Sequence, residues 1–122
     1  MPRRPLILTL FGWFLVLFGA FGFVIHFPRH RPPFHSDDFW PDLLELVLMT
    51  AGIFILRGRN WARWLAIAWI SLHIGLSFYN SLREVAVHTL ILLIFVGILF
   101  CRPARTWFAA QSRAGAQAST PD

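Results

Sequence analysis

The sequence predicts an all-α fold, an integral membrane antiparallel four-helix bundle running up-down-up-down, and three observations carry that expectation. Of 122 residues, 57% are hydrophobic and only 14% charged, more apolar surface than a soluble domain of this size buries. The apolar residues fall in long runs broken by short polar punctuation. All eleven basic residues are arginines, and they lie almost wholly between and outside those runs, which is how multi-pass membrane proteins distribute positive charge. A formal charge of +5 would point to nucleic acid in a soluble protein. With the arginines placed this way, the expected partner is the lipid bilayer and no nucleic acid.

The first run, Leu6 to Phe27, holds 22 residues without a formal charge, about 33 Å of helix and one crossing. Pro5 suits a first helical turn, and Pro28 follows where a helix stops. Arg3 and Arg4 ahead of it, with Ala20 and Gly22 as a small-residue pair, resemble a signal peptide. The run is too long for a signal-peptide core of about 7–15 residues, so an uncleaved first span is expected. The second run, Leu43 to Leu56, has only 14 residues and must borrow a turn to cross. Asp37 or Asp38 is expected to cap it, with Phe39, Trp40 and Pro41 in the first turn and an end at Arg57-Gly58. Asn60 is expected to cap a third helix from Trp61. Ser81-Leu82-Arg83-Glu84 reads as a capping box for a fourth, stopped by Pro103.

The expected organisation is thus a bundle over residues 1–110, with spans near 5–27, 38–57, 61–80 and 82–101, and a disordered cytoplasmic tail over 111–122. Arg3, Arg4, Arg57, Arg59, Arg63, Arg102, Arg105 and Arg113 fall on one side of such a bundle; only Arg29, Arg31 and Arg83 fall on the other. The positive-inside bias then places both termini and the 57–63 turn in the cytoplasm, in the bacterial inner membrane. Lipid headgroup anchoring is expected of Arg57, Arg59, Trp61, Arg63, Trp64, Arg102, Arg105 and Trp107.

Polar residues concentrate in the opposite half. His26, Glu45, His73, Ser77, Asn80 and His88 form the candidate polar cluster, with His73, Ser77 and Asn80 in one stripe and Glu84 and His88 in another. Ionisable groups at membrane depth suggest a proton path, a metal or a small polar ligand, whereas hydrogen bonding between helices explains the same residues without chemistry. A bis-histidine haem on His73 and His88 is a special case. No motif fixes a metal site, so no metal and no cofactor are assigned. Cys101 is the single cysteine and excludes a redox pair. His30, His35, Asp37 and Asp38 make the connector between the first two spans a pH-responsive segment at most. Small residues recur at Gly12, Gly19 and Gly22 in the first helix and at Ala68, Ser71 and Gly75 in the third, and these suit close helix packing or a homo-oligomer.

The stretch GRNWARW, which follows Arg57, and the closing segment LFCRPARTWF resemble small uncharacterised bacterial four-span membrane proteins, in which a G-R-x-W-A-R-W loop and a terminal R-P-x-A-R-like segment recur. The resemblance covers residues 57–108 and implies a fold and a location, with no reaction attached. Small multidrug transporters share the length and span number, but their first-helix glutamate is missing here. No nucleophile, base and orienting group can be assembled, so no catalytic residue is assigned and an enzyme is not expected. The expected function is a noncatalytic accessory or structural component of the cytoplasmic membrane, with a membrane-protein partner or a homo-oligomer. The alternative is a transporter or a ligand- or metal-binding protein that uses the outer polar cluster.

Overall fold

A computed structural model describes residues 2–26 and 39–119. Those residues form five helices and no strand: α1 (Leu6–His26), α2 (Trp40–Leu56), α3 (Asn60–Ser77), α4 (Leu82–Phe100) and α5 (Arg102–Ala118). Two of them, α1 and α4, are long and apolar enough to cross a membrane, with mean hydropathies of 2.3 and 2.1. At 17 and 18 residues, α2 and α3 reach about 26–27 Å.

Neighbouring helices run antiparallel. Gly12 of α1 faces Gly52 and Leu56 of α2, while Gly19 and Gly22 face Glu45. The Trp69 indole N–H of α3 donates to the Leu44 carbonyl of α2 at 2.8 Å, and the rings of Phe54 and Trp61 meet at the other end of that pair. Ser77 of α3 meets His88 of α4 at 2.9 Å, whereas Arg63 reaches the Leu99 carbonyl. The contacts between α1 and α2 are the densest and those between α1 and α4 are sparse. The core runs through Leu8, Leu15, Leu48, Ile55, Ile70 and Leu99, all essentially without solvent contact.

Local signals explain most boundaries. Ser81 caps α4, its Oγ accepting from the Glu84 N–H at 3.2 Å. The Glu84 carboxylate does not complete the reciprocal half of the box but accepts from Asn80 Nδ2 at 3.0 Å. After α2, the Gly58 N–H donates to Ile55 and the Arg59 N–H to Phe54, with Gly58 at φ 75°, a Schellman stop that favours glycine. Arg4 donates to the Leu56 carbonyl at 2.7 Å, placing a cation at the negative end of α2.

Four expectations need correction. The residue before α3 is Arg59, and Asn60 is already helical with no capping bond; its Oδ1 instead accepts from Arg63. Phe39 precedes α2 instead of joining its first turn, and Asp37 and Asp38 lie outside the described residues. Helix α3 stops at Ser77, so Tyr79 and Asn80 form the turn to α4. The chain from Gln111, expected to be disordered, continues as α5 to Ala118. Ala104, Trp107 and Phe108 are buried, and Gln111 and Ala114 half-buried, so one stripe at helical spacing packs across the Gly58 end of the bundle. Alanine, glutamine and arginine, good helix formers, extend it.

Candidate functional site

The half of the bundle away from Gly58 holds the polar residues, and the helix ends decide which of them meet. His73, Ser77 and His88 come together because α3 and α4 are antiparallel about a tight turn. The His73 Nδ1 lies 3.0 Å from the Trp69 carbonyl, and the His88 Nδ1 lies 2.8 Å from the Glu84 carbonyl. A carbonyl only accepts, so each neutral ring carries its proton on Nδ1 and offers an Nε2 lone pair. The Ser77 hydroxyl donates to the His73 carbonyl at 2.7 Å, and its oxygen accepts from His88 Nδ1 at 2.9 Å. Ser77 is buried, at 3% exposure. The two imidazoles stand 5.8 Å apart, and the Trp69 ring lies 4.1 Å from that of His73.

A cavity of about 370 Å³ opens beside this pair. Glu45, His73 and His88, from three different helices, line it together with Phe14, Phe18 and Trp69. The Glu45 carboxylate rests where a side chain on Gly22 would otherwise stand: a Cβ built there would sit 2.4 Å from Glu45 Cδ. One carboxylate oxygen of Glu45 and the Nδ1 of His26 are buried without a hydrogen-bond partner. His26 and Asp42 both act electrostatically on Glu45.

The expected six-residue cluster is therefore divided. Glu45, His73 and His88 line one cavity, and Ser77 holds the His88 ring from behind. His26 closes α1 near Glu45 without lining the cavity, and Asn80 is exposed in the turn, engaged with Glu84. Among the described residues, no three His, Cys, Asp or Glu side chains are placed to hold a metal ion. His30 and His35 lie outside the described residues. Sequence reasoning missed Asp42, which is buried at 7% exposure, and Trp69, whose N–H binds α2. The indole N–H was the signal available, since a buried tryptophan usually finds an acceptor.

The anchoring set also divides. Arg57, Arg59, Trp61, Trp64, Arg102 and Arg105 are exposed. Trp107 is not: at 5% exposure it is packed under α5 against Gly58. Arg63 is half-buried with its guanidinium 4.8 Å from the Phe100 ring and 4.7 Å from the Phe108 ring. It joins α3, α4 and α5, a structural position instead of the headgroup contact expected for it. Comparison with family profiles, curated proteins and solved structures found no match to this chain.

Proposed function

We propose that this chain is a four-span integral membrane protein of the cytoplasmic membrane, with both termini and the Gly58 turn on the cytoplasmic side, and that it binds a small ligand within the bilayer. The observation that carries the ligand reading is the cavity of about 370 Å³ whose polar wall is drawn from α2, α3 and α4. Ligand sites are concave and largely apolar, with a few polar groups that converge, and Glu45, His73 and His88 supply those groups. Ionisable side chains within a membrane are costly and rare, and they commonly mark functional sites.

Lipid contact is supported by the outward faces. Leu17, Phe21 and Leu93 are 64%, 67% and 63% exposed, a surface suited to hydrocarbon. Thr50 and Thr89 donate to their own i−4 carbonyls at 2.7 Å, which satisfies hydroxyls that lipid would leave unpaired. The short reach of α2 and α3 is offset by Trp40, Trp61, Trp64 and Tyr79, exposed near their ends as interfacial anchors. The cavity lies toward the outer face in this topology, and α5 covers the cytoplasmic end.

Native purification with mass spectrometry of the retained small molecules tests the ligand reading, and an absorbance spectrum tests haem. The expected result is a bound molecule lost in His73→Leu while the protein still folds; retention of that molecule by the variant overturns the assignment. A second reading, an accessory component of another membrane complex, is favoured by one feature. On α3, Ala68 and Ser71 are exposed, and Gly75 has open space around it, a face onto which another helix packs closely. A stoichiometric protein that co-purifies and is lost in Gly75→Leu would support it.

A further inference from the structure

A second hollow lies beside the cavity. Between α1 and α4 lies an almost wholly apolar hollow of about 390 Å³, bounded by Ile7, Leu10, Phe14, Ile91, Ile94 and Ile98. It shares Phe14, Ile91 and Phe95 with the polar cavity, so the two adjoin across those side chains on one side of the bundle. That side is open because α1 is packed on α2 and α4 on α3, while α1 and α4 touch sparsely, with Phe11 set edge-on to Phe95 at 4.8 Å. From Phe14 to Ile7, or from Ile91 to Ile98, the hollow extends seven residues, about 10 Å of helix.

We infer that this seam binds a single-chain membrane amphiphile with an uncharged, hydroxyl-bearing head. The head sits against Glu45, His73 and His88, and the tail lies along the hollow between α1 and α4. The inference rests on the intramembrane ligand reading and adds the ligand's class and its route.

Three features select that class. The polar wall is rich in acceptors: both imidazoles have turned Nδ1–H onto helix carbonyls, which leaves Nε2 lone pairs, and one carboxylate oxygen of Glu45 is buried without a hydrogen-bond partner. A hydroxyl-bearing head supplies O–H donors to these acceptors. A phosphatidylcholine head brings acceptors and no O–H or N–H donor, which disfavours that lipid. A soluble polar molecule leaves the apolar hollow without an occupant, whereas one hydrocarbon chain, already dissolved in the surrounding bilayer, enters it sideways through the seam.

The test uses the full chain in phosphatidylcholine nanodiscs and a monoacylglycerol carrying a diazirine in its chain. Expected are adducts on α1 and α4 around Leu10, Phe14, Ile91 and Ile94 that unlabelled monoacylglycerol suppresses. Ile94→Trp, which fills the hollow from a half-exposed position, should abolish this labelling without lowering the melting temperature. His73→Leu should raise the competing concentration needed by about tenfold, as expected for a lost hydrogen bond to a buried group. Labelling spread over outward residues such as Leu17 and Leu93, with no competition, overturns the inference. So does an alkyltrimethylammonium of equal chain length that competes as well as the monoacylglycerol. If glycerol alone competes equally, the cavity still binds a ligand and only the seam is refuted; if a different small molecule co-purifies and depends on His73, the same holds.

Discussion

At Gly22 and Gly19, two glycines one turn apart on α1, the same substitution has two different outcomes. A Cβ on Gly22 meets the carboxylate end of Glu45 at 2.4 Å, and that end can swing away. Gly22→Ala should therefore cost less than about 1 kcal/mol of stability, partly offset by helix propensity, while moving the Glu45 carboxylate off the cavity wall. The signature is lost ligand retention with little change in melting temperature. A Cβ on Gly19 meets backbone instead, the Glu45 carbonyl at 2.8 Å and the Met49 N at 3.0 Å, so α1 and α2 must separate. Gly19→Ala should destabilise the fold by about 1–3 kcal/mol, the usual range for overpacking, measured by thermal unfolding in micelles. Gly97→Ala, with nothing within 4 Å, serves as the control and should not destabilise. The His73 and His88 stripes were legible in the sequence because residues four apart share a helical face. That His26 and Asn80 would drop out of the cavity was not legible, since it depends on α3 ending at Ser77 and on where the last turn of α1 lies. Asp42 was invisible for a related reason: it is buried only because tertiary packing covers it.

Among the elements, α5 is the one whose presence sequence reasoning did not anticipate. Pro103 suits the end of a helix, and the polar tail offers few apolar residues to bury. Proline at the second position of a helix is tolerated as well as it is after a stop, and here it serves both helices, with Cys101 extended between them. The stripe that holds α5 down needs only Trp107, Phe108 and small neighbours, too few apolar residues to stand out beside the long runs of α1 and α4. Those runs, with Pro5 and Ser81-Glu84 as punctuation, made four helices legible to within a few residues. Two substitutions test how α5 is held. Arg63→Lys keeps the charge but loses the planar group set against Phe100 and Phe108; lysine does not reproduce that contact. The loss should be about 0.5–2 kcal/mol and should appear as faster trypsin cleavage at Arg105 and Arg113. Gly58→Ala faces a positive φ and a Cβ 2.7 Å from Gln111 Cγ. It should loosen α5 and the α2–α3 turn together, by about 1 kcal/mol or more, with the same proteolytic readout.

For the molecule as a whole, the question is what solvates its sides. Helices α1 and α4 pass the length and hydropathy tests for a crossing, but α2 and α3 do not, and an isolated hairpin reading would leave them at the surface. Their antiparallel packing argues otherwise. Gly12, Gly19 and Gly52 bring α1 and α2 into backbone contact over most of their length, and the Trp69 N–H ties α3 to α2 near Glu45. On the proposed four-span topology the bundle enters the bilayer as one body, with α2 crossing beside α1 and α3 beside α4. Single cysteines in a Cys101→Ser background decide the matter in intact cells. Placed at Leu17, Ile53, Leu72 and Leu93, one outward position on each of α1 to α4, they should resist a water-soluble maleimide. Placed at Tyr79 they should react from outside, and at Arg59 or Ser112 only after the membrane is made permeable. Rapid labelling at Ile53 and Leu72 with protection at Leu17 and Leu93 would leave two crossings instead of four. Glu45 and His73 would then face water, and the cavity would lose the low-dielectric surroundings that make its polar wall selective.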